Sequence, residues 1–300
     1  MIIVKHRNIF FAVTGLIVLL SIVSVFAFGL KPSLDFTGGT LVQVTYPNTR
    51  PAPDLVGQAL TGAGITGYSI REAGDKDYII RAPNLTPVQR SSIAEIVSGG
   101  DVYRGTITQL NEIGPTIGTE LRNKSYLALA LVLLCILLFI AFAFRKVSRP
   151  VSSWVYGLIA LVTLLHDVIV PVGFFALLGH LTGAEVDTLF VTAVLTVLGF
   201  SIHDTIVVFD RVRENLRINH DHNKKESFED TAGRSLNQTI VRSINTSLTV
   251  VITLLILYFI GPASTRDFAL TLLVGIVAGT YSSIALATPL LVAVEKWRRA

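Results

Sequence analysis

An acidic residue lies in the middle of an apolar run of membrane length. The stretch from Gly199 to Asn215 reads GFSIHDTIVVFDRVREN, and it places Asp204 about six residues, or about 9 Å of helix, before the charged residue Asp210. A carboxylate at membrane depth costs about 2.5 to 3.5 kcal/mol on insertion scales, so it needs a partner or a function. Asp204 is therefore the first candidate for chemistry, and that chemistry is the loading and unloading of an ion.

Polar side chains in the same apolar run and in a later one are spaced so that they can lie near Asp204. Helical spacing puts Ser201 and Thr205 near it on one helix, and His203 precedes it directly. In a later run Arg242 lies close to the same membrane border. Burial favours the neutral acid and a guanidinium favours the carboxylate, so a site balanced between them changes protonation when its water access changes. Arg242 is followed at helical spacing by a polar stripe of Asn245, Thr246, Thr249 and Thr253.

A second pair of ionisable residues, His166 and Asp167, lies nearer the centre of another apolar run. Two layers of titratable groups predict a relay that leads a proton inward. A proton that crosses a membrane potential yields about 2.3 kcal/mol per 100 mV, which is enough to bias a two-state helix arrangement. Three structural interpretations stay open: Arg242 extends its guanidinium to the headgroups, Asp204 and Arg242 form a static ion pair, or His166 and Asp167 only stabilise packing.

The composition is that of a membrane protein. Hydrophobic residues make up 51% of the chain and charged residues 15%, whereas soluble domains carry about 25% charged residues. The net charge of +4 is too small to argue for nucleic acid. Cys135 is the only cysteine, which excludes a disulfide framework and a thiolate metal site. Because phosphate-loop, zinc-protease and hydrolase motifs are missing, we predict no enzyme, no cofactor and no metal site.

Six apolar runs are long enough to cross a bilayer. The first is about 20 residues long and lacks a small-x-small cleavage site, which favours an uncleaved helix over a signal peptide. Loops rich in lysine and arginine, including Arg145, Lys146 and Arg149, all fall on one side. The predicted order is a cytoplasmic N-terminus at 1–8, spans at 9–29, 123–145, 151–178, 187–209, 240–260 and 268–294, a cytoplasmic loop at 210–239 and a cytoplasmic C-terminus at 295–300.

The segment 30–122 has the composition of a soluble domain, and the orientation of the spans places it outside. Its predicted elements follow the order β-α-β-β-α-β, the ferredoxin-like pattern, and no catalytic constellation occurs in it. We predict a polytopic α-helical membrane protein with six transmembrane helices plus a small α+β ferredoxin-like external domain that binds or acts as a lever. The predicted strands are 40–46, 65–72, 78–82 and 105–113, and the predicted helices are 53–62 and 86–97.

Five motifs distributed along the chain carry a resemblance that extends over nearly all of it. They are LDFTGG from Leu34, IGPTIG from Ile113, HDV from His166, the stretch from Gly199 to Asn215, and RSINTS from Arg242. With them the sequence resembles the SecF family, the smaller members of the SecD–SecF protein-export pairs in the resistance-nodulation-division superfamily.

The resemblance implies half of a resistance-nodulation-division transporter in the bacterial inner membrane. Its implied partners are SecD, the SecY channel complex and unfolded preprotein. In that family the aspartate of span four and the arginine of span five belong to a proton pathway, which maps here to Asp204 and Arg242. The proton-motive force is then expected to drive motions of the external domain. His203 stands where many relatives have asparagine, and it can join the relay or change its working pH.

Two other functions and a second coupling ion stay open. Half of a proton-driven efflux transporter for small molecules is one alternative, although that class usually has larger external domains and twelve spans in one chain. A passive scaffold that links SecD to the SecY channel is the other, and it is favoured if Asp204→Asn leaves proton-dependent export unchanged. Carboxylates and hydroxyls suit sodium as well as protons.

Overall fold

The computed structural model describes residues 2–143 and 151–299. The basic residues Arg145, Lys146 and Arg149 and the end of the predicted span 123–145 lie outside the described residues, as do Met1 and Ala300. The described elements are α1 (Ile2–Lys5), α2 (Arg7–Phe28), α3 (Leu34–Thr37), β1 (Gly39–Thr45), α4 (Pro53–Gly62), β2 (Ser69–Ala73), β3 (Asp77–Ala82), α5 (Pro87–Ser98), α6 (Gly100–Tyr103), β4 (Thr106–Ile113), α7 (Pro115–Ala143), α8 (Ser153–Thr182), α9 (Thr188–Asp221), α10 (Phe228–Ile260), a 3-10 turn (Ala263–Thr265), α11 (Arg266–Ser282), a π-helical segment (Ser283–Ala287) and α12 (Thr288–Arg299).

Six helices in the described part of the chain are long and apolar enough to cross a membrane. They are α2, α7, α8, α9, α10 and the continuous run Arg266–Arg298, which contains α11, the π-helical segment and most of α12. This confirms the predicted polytopic fold. Within the segment 210–239, predicted as a cytoplasmic loop, α9 continues to Asp221 and α10 begins at Phe228. Ion pairs one turn apart, such as Arg211–Glu214, stabilise this helical extension.

The chain divides into two compact units. The ferredoxin-like unit comprises Pro32–Tyr126 and Glu185–Asp187, and the helical unit comprises Met1–Lys31, Leu127–Ala184 and Thr188–Ala300. The short segment Glu185–Asp187 was not predicted to join the domain, because the sequence presents it only as a loop between two spans.

The ferredoxin-like unit has four antiparallel strands in the order β2-β3-β1-β4, with α4 and α5 between strands in sequence. This confirms the predicted β-α-β-β-α-β order. Alternate residues of β1, among them Val42 and Val44, are buried and join Ile80 in one core with the helices. Thr86 begins α5 as its N-cap in a reciprocal capping box with Gln89. The second strand is shorter than predicted and begins only at Ser69.

The glycine pair Gly38-Gly39 allows two chain segments of this unit to pass at backbone distance. Both glycines have positive φ, 75° and 131°, which other residues rarely adopt. A Cβ on Gly38 would lie 2.8 Å from the Cα of Pro115, and one on Gly118 would lie 2.8 Å from the backbone nitrogen of Gly38. The LDFTGG and IGPTIG motifs therefore meet where the domain begins and ends.

Small residues also bring the membrane helices together. A Cβ on Gly275 of α11 would lie 2.2 Å from a methyl group of Val197, and one on Gly279 would lie 2.8 Å from the Cβ of Ser201. Close approach of this kind is typical of helix pairs in membranes, where association depends on packing and hydrogen bonds. The Gly275-x-x-x-Gly279 pair thus sets α11 directly against the part of α9 that carries the candidate site.

Candidate proton-relay site

Asp167 is fully buried in the middle of α8. One of its carboxylate oxygens lies 2.8 Å from Nδ1 of His166, and the other accepts a hydrogen bond from the hydroxyl of Ser201 on α9. The Nε2 atom of His166 is buried and has no hydrogen-bond partner among the described residues. Buried polar atoms are nearly always bonded, so this nitrogen is an exception within the described residues.

Asp204 is the second acid of the site, and its side chain is only 3% exposed. Ser247 of α10 donates to its Oδ2 atom over 3.5 Å, and the Ser247 hydroxyl lies 2.5 Å from that of Thr280 on α11. Ser243, one turn earlier on α10, lies beside the same carboxyl group. Since hydroxyls both donate and accept, this lining stabilises either protonation state of the acid.

Buried hydroxyl groups lie along the part of α9 that carries Asp204. Ser201, which bonds Asp167, lies one turn before Asp204 on α9. Thr205 follows Asp204 directly, and its hydroxyl lies 2.9 Å from that of Ser283. Ser283 in turn donates to the backbone carbonyl of Ser201 over 3.4 Å. The predicted residues Asp167, Ser201, Asp204 and Thr205 are thus brought together with their polar side chains buried.

The sixth span changes its helical geometry at this site. Its π-helical segment begins at Ser283, directly after Ser282, and both serines are fully buried. Single π-helical turns within α-helices occur frequently at functional sites, because the wider turn redirects side chains. Here the wider turn begins where the span meets Thr205 and Ser201.

The other predicted residues lie apart from this buried cluster. His203 is exposed, since it points away from the face that carries Asp204. Arg242 is also exposed and lines a surface cavity of about 380 Å³ with Asp210 and Gln238. It lies near enough to Asp204 to act through its charge, but no ion pair joins the two within residues 2–143 and 151–299. A static ion pair of Asp204 with Arg242 is therefore not a feature of this structure.

The polar stripe of α10 faces differently from its prediction. Asn245 is exposed and Thr246 is half-buried, with its hydroxyl bonded to the carbonyl of Arg242. The residues that contact Asp204 belong instead to a second stripe at strict four-residue spacing. That stripe comprises Thr231, Ser235, Thr239, Ser243 and Ser247, all buried. The spacing is visible in the sequence, so this periodicity is the signal that would have identified Ser243 and Ser247.

The polar end of the Gly199 to Asn215 motif fastens α9 to α10. Asn215 is 1% exposed, donates to Ser235 over 2.8 Å and to Gln238 over 2.9 Å, and accepts from Arg234 over 3.0 Å. Arg234 also pairs with Glu226 over 2.6 Å. Every polar atom of the asparagine side chain is thereby used, which holds the facing surfaces of the two helices in register.

Glu226 makes this helix connection sensitive to acid. Its ion pair with Arg234 and its bonds from Asn219 and Thr231 lower its pKa from the usual 4.5 to about 2. A lowered pKa stabilises the fold above pH 4.5, and that contribution is lost as the pH falls from about 4.5 through about 2. We expect amide protection factors in the first turns of α10 to fall severalfold between pH 6 and pH 3.

Two variants check this expectation by the same exchange measurement. Glu226→Gln should show weak protection at both pH values, because the amide cannot form the ion pair. Glu214→Gln alters an exposed acid on α9 and should keep the wild-type pH dependence. Equal pH dependence in wild type and Glu226→Gln would contradict the role of this carboxylate.

Within the described residues no group of three or more histidine, cysteine, aspartate or glutamate side chains is arranged to hold a metal ion. The site is instead a set of acids and hydroxyls inside a helical bundle. Such groups exchange protons or coordinate a small hard cation. Fold and site together define a polytopic membrane protein of the transporter type, with a small ferredoxin-like domain after its first span.

Comparison with known proteins identifies the family within this class of membrane proteins. The family described as "Protein export membrane protein SecD/SecF, C-terminal" matches residues 96–297, and the "SecD/SecF GG Motif" matches residues 23–46. Protein translocase subunit SecF of Thermobaculum terrenum is 43% identical over 98% of this chain and 93% of its own, and that of Anaerolinea thermophila is 37% identical over 99% and 95%. The chain belongs to the SecF family of protein translocase subunits.

A solved structure agrees in fold. The crystal structure of SecDF, a translocon-associated membrane protein from Thermus thermophilus, superposes with a TM-score of 0.83 at 31% identity over 99% of this chain. The chain corresponds to 38% of the length of that SecDF chain. The longer protein therefore contains a large part that has no counterpart here, and this fits a subunit that pairs with SecD.

Proposed function

We propose that this chain, paired with SecD in the bacterial inner membrane, uses the proton-motive force to move its ferredoxin-like domain and so assists translocation of unfolded preprotein through the SecY channel. The observation that carries the proposal is the burial of two acids, Asp167 and Asp204, among hydroxyls of three membrane helices, α9, α10 and the sixth span. Burial of an acid inside a membrane protein is unfavourable, and intramembrane acids mark ion pathways.

The arrangement supports coupling because the hydroxyls around Asp204 can satisfy the acid in either protonation state. A neutral Asp204 donates a hydrogen bond to a neighbouring hydroxyl, whereas the carboxylate accepts a bond from Ser247, has the Ser243 hydroxyl beside it and is favoured by the charge of Arg242. Each state therefore prefers a different set of bonds between α9 and α10. Protonation of Asp204 changes which set of hydrogen bonds has the lower free energy. A membrane potential of 100 mV supplies about 2.3 kcal/mol per charge to drive the change from one set to the other.

Export driven by defined ion gradients tests the proposal. Vesicles that contain SecD, this chain and the SecY channel complex are given either a proton gradient or a sodium gradient of equal size, and the export of a preprotein is measured. We expect the proton gradient alone to increase export, and only when this chain is present. Equal stimulation by sodium would overturn the choice of ion. Stimulation by neither gradient would favour a passive scaffold.

A further inference from the structure

Three residues between α8 and α9 are built into the ferredoxin-like unit. The chain leaves the helical unit after Ala184, contributes Glu185–Asp187 to the ferredoxin-like unit, and returns at Thr188, the first residue of α9. We call Glu185–Asp187 the clip. Its position in the chain matters because the helix that begins directly after it carries Asp204.

Backbone bonds fix the clip inside its unit. The backbone nitrogen of Ser33 donates to the carbonyl of Val186 over 2.8 Å, and Pro32 pairs with Val186 as a parallel β-bridge. The clip therefore pairs through its backbone with Pro32 and Ser33, which directly precede the LDFTGG motif. A loop that only joined two spans would not need such bonds, since water could satisfy its backbone N–H and C=O groups.

An ion pair adds a specific side-chain bond. The guanidinium of Arg81 on β3 pairs with the carboxylate of Glu185, and the two side chains are only 18% and 15% exposed. The charges of Asp35 and Asp187 also act favourably on Arg81, while Arg71 opposes them. Breaking a pair that is largely shielded from water leaves an uncompensated charge and is strongly destabilising. The clip is thus bonded through its backbone to Pro32 and Ser33 and through the Glu185 side chain to strand β3.

We propose that the clip is the mechanical coupling element that transmits movement of α9 to the sheet of the ferredoxin-like domain. The inference rests on the proposed function and identifies the path that its motion takes. About 24 Å of continuous helix separates Thr188 from Asp204, and a helix of this length transmits an axial shift because its backbone is fully hydrogen-bonded. A shift caused by proton loading at Asp204 therefore reaches the clip by chain continuity, and the ion pair passes it to β3.

Charge reversal tests the clip in the full chain, assembled with SecD and the channel in vesicles. Arg81→Glu and Glu185→Arg each break the pair, and the double variant restores it in the opposite sense. Arg90→Glu breaks the exposed pair of Arg90 with Glu112 in the same unit and serves as the matched control. Two quantities are measured: amide exchange at Ser33, which reports the clip itself, and proton-driven export.

We expect each single reversal to accelerate exchange at Ser33 at least about tenfold and to remove most of the proton-driven export. The double variant should recover both, and the control should change neither. Unchanged exchange in the single variants overturns the clip as a bonded element. Accelerated exchange with undiminished export overturns its role in coupling. Wild-type vesicles without proton-driven export overturn the proposed function, and the coupling role with it, whereas a loss confined to the clip variants supports both.

Discussion

Replacing Asp204 with asparagine is expected to reduce proton-driven preprotein export to the level of vesicles that lack this chain. Asparagine has nearly the same shape and can still accept the bond from the hydroxyl of Ser247, so packing should be preserved. It cannot load or release a proton, however, and the two bonding states of the site then no longer differ in charge. The measurement is export by vesicles with SecD and the channel under an imposed proton gradient, together with proton uptake.

A matched control separates this effect from a general loss of charge on α9. Asp210→Asn lies less than two turns away, at an exposed position where Asp210 pairs with Arg213 one turn on. Exposed pairs of this kind contribute about 0 to 1 kcal/mol, so export should be close to that of the wild type. If Asp204→Asn exported as well as Asp210→Asn does, proton loading at the buried acid would not drive the process.

Replacing Gly173 with alanine is expected to destabilise the helical unit, because the added methyl group would meet the backbone of a neighbouring helix. A Cβ at this position of α8 would lie 2.4 Å from the Cα of Ser21 and 2.6 Å from its carbonyl oxygen, both on the backbone of α2. The helices must separate, which also weakens the 2.7 Å bond from Ser24 to the Gly173 carbonyl. Overpacking of this kind costs about 1–3 kcal/mol, and the thermal unfolding temperature in detergent should fall by several degrees.

The control for this substitution lies on the same helix pair. Gly15 of α2 has no atom within 4 Å of the place where a Cβ would stand. Gly15→Ala should therefore leave the unfolding temperature unchanged or raise it slightly, because alanine favours the helix over glycine. A similar fall for both variants would show that glycine content, and not the contact with Ser21, sets the stability.

Local patterns were sufficient to predict most of the fold. The lengths of the apolar runs predicted six spans, and the alternation in β1 together with the cap at Thr86 predicted the elements of the domain. These features depend on neighbouring residues, so a single sequence contains them. The inclusion of Glu185–Asp187 in the domain depends on a bond to Arg81, about a hundred residues earlier, and no local pattern indicates it.

The candidate site was likewise predictable only where local sequence patterns determine it. Asp167, Ser201, Asp204 and Thr205 were identified because polar residues are rare in apolar runs and helical spacing fixes their shared face. The sequence predicted that α10 would meet them with the stripe that begins at Arg242, because the positive charge of Arg242 suggested a partner for Asp204. The structure places uncharged serines there, because small side chains let α9 and α10 approach closely. Roles in proton transfer remain predictions for all of these residues.

The exposed stripe of α10 has a consequence for the energetics of a lone subunit in the bilayer. Arg242, Asn245, Thr249 and Thr253 lie on the outer surface of a helix of membrane length. In a lone subunit this surface would meet lipid, where a guanidinium and an amide are poorly tolerated. Contact of this stripe with another polar helix surface would remove that cost.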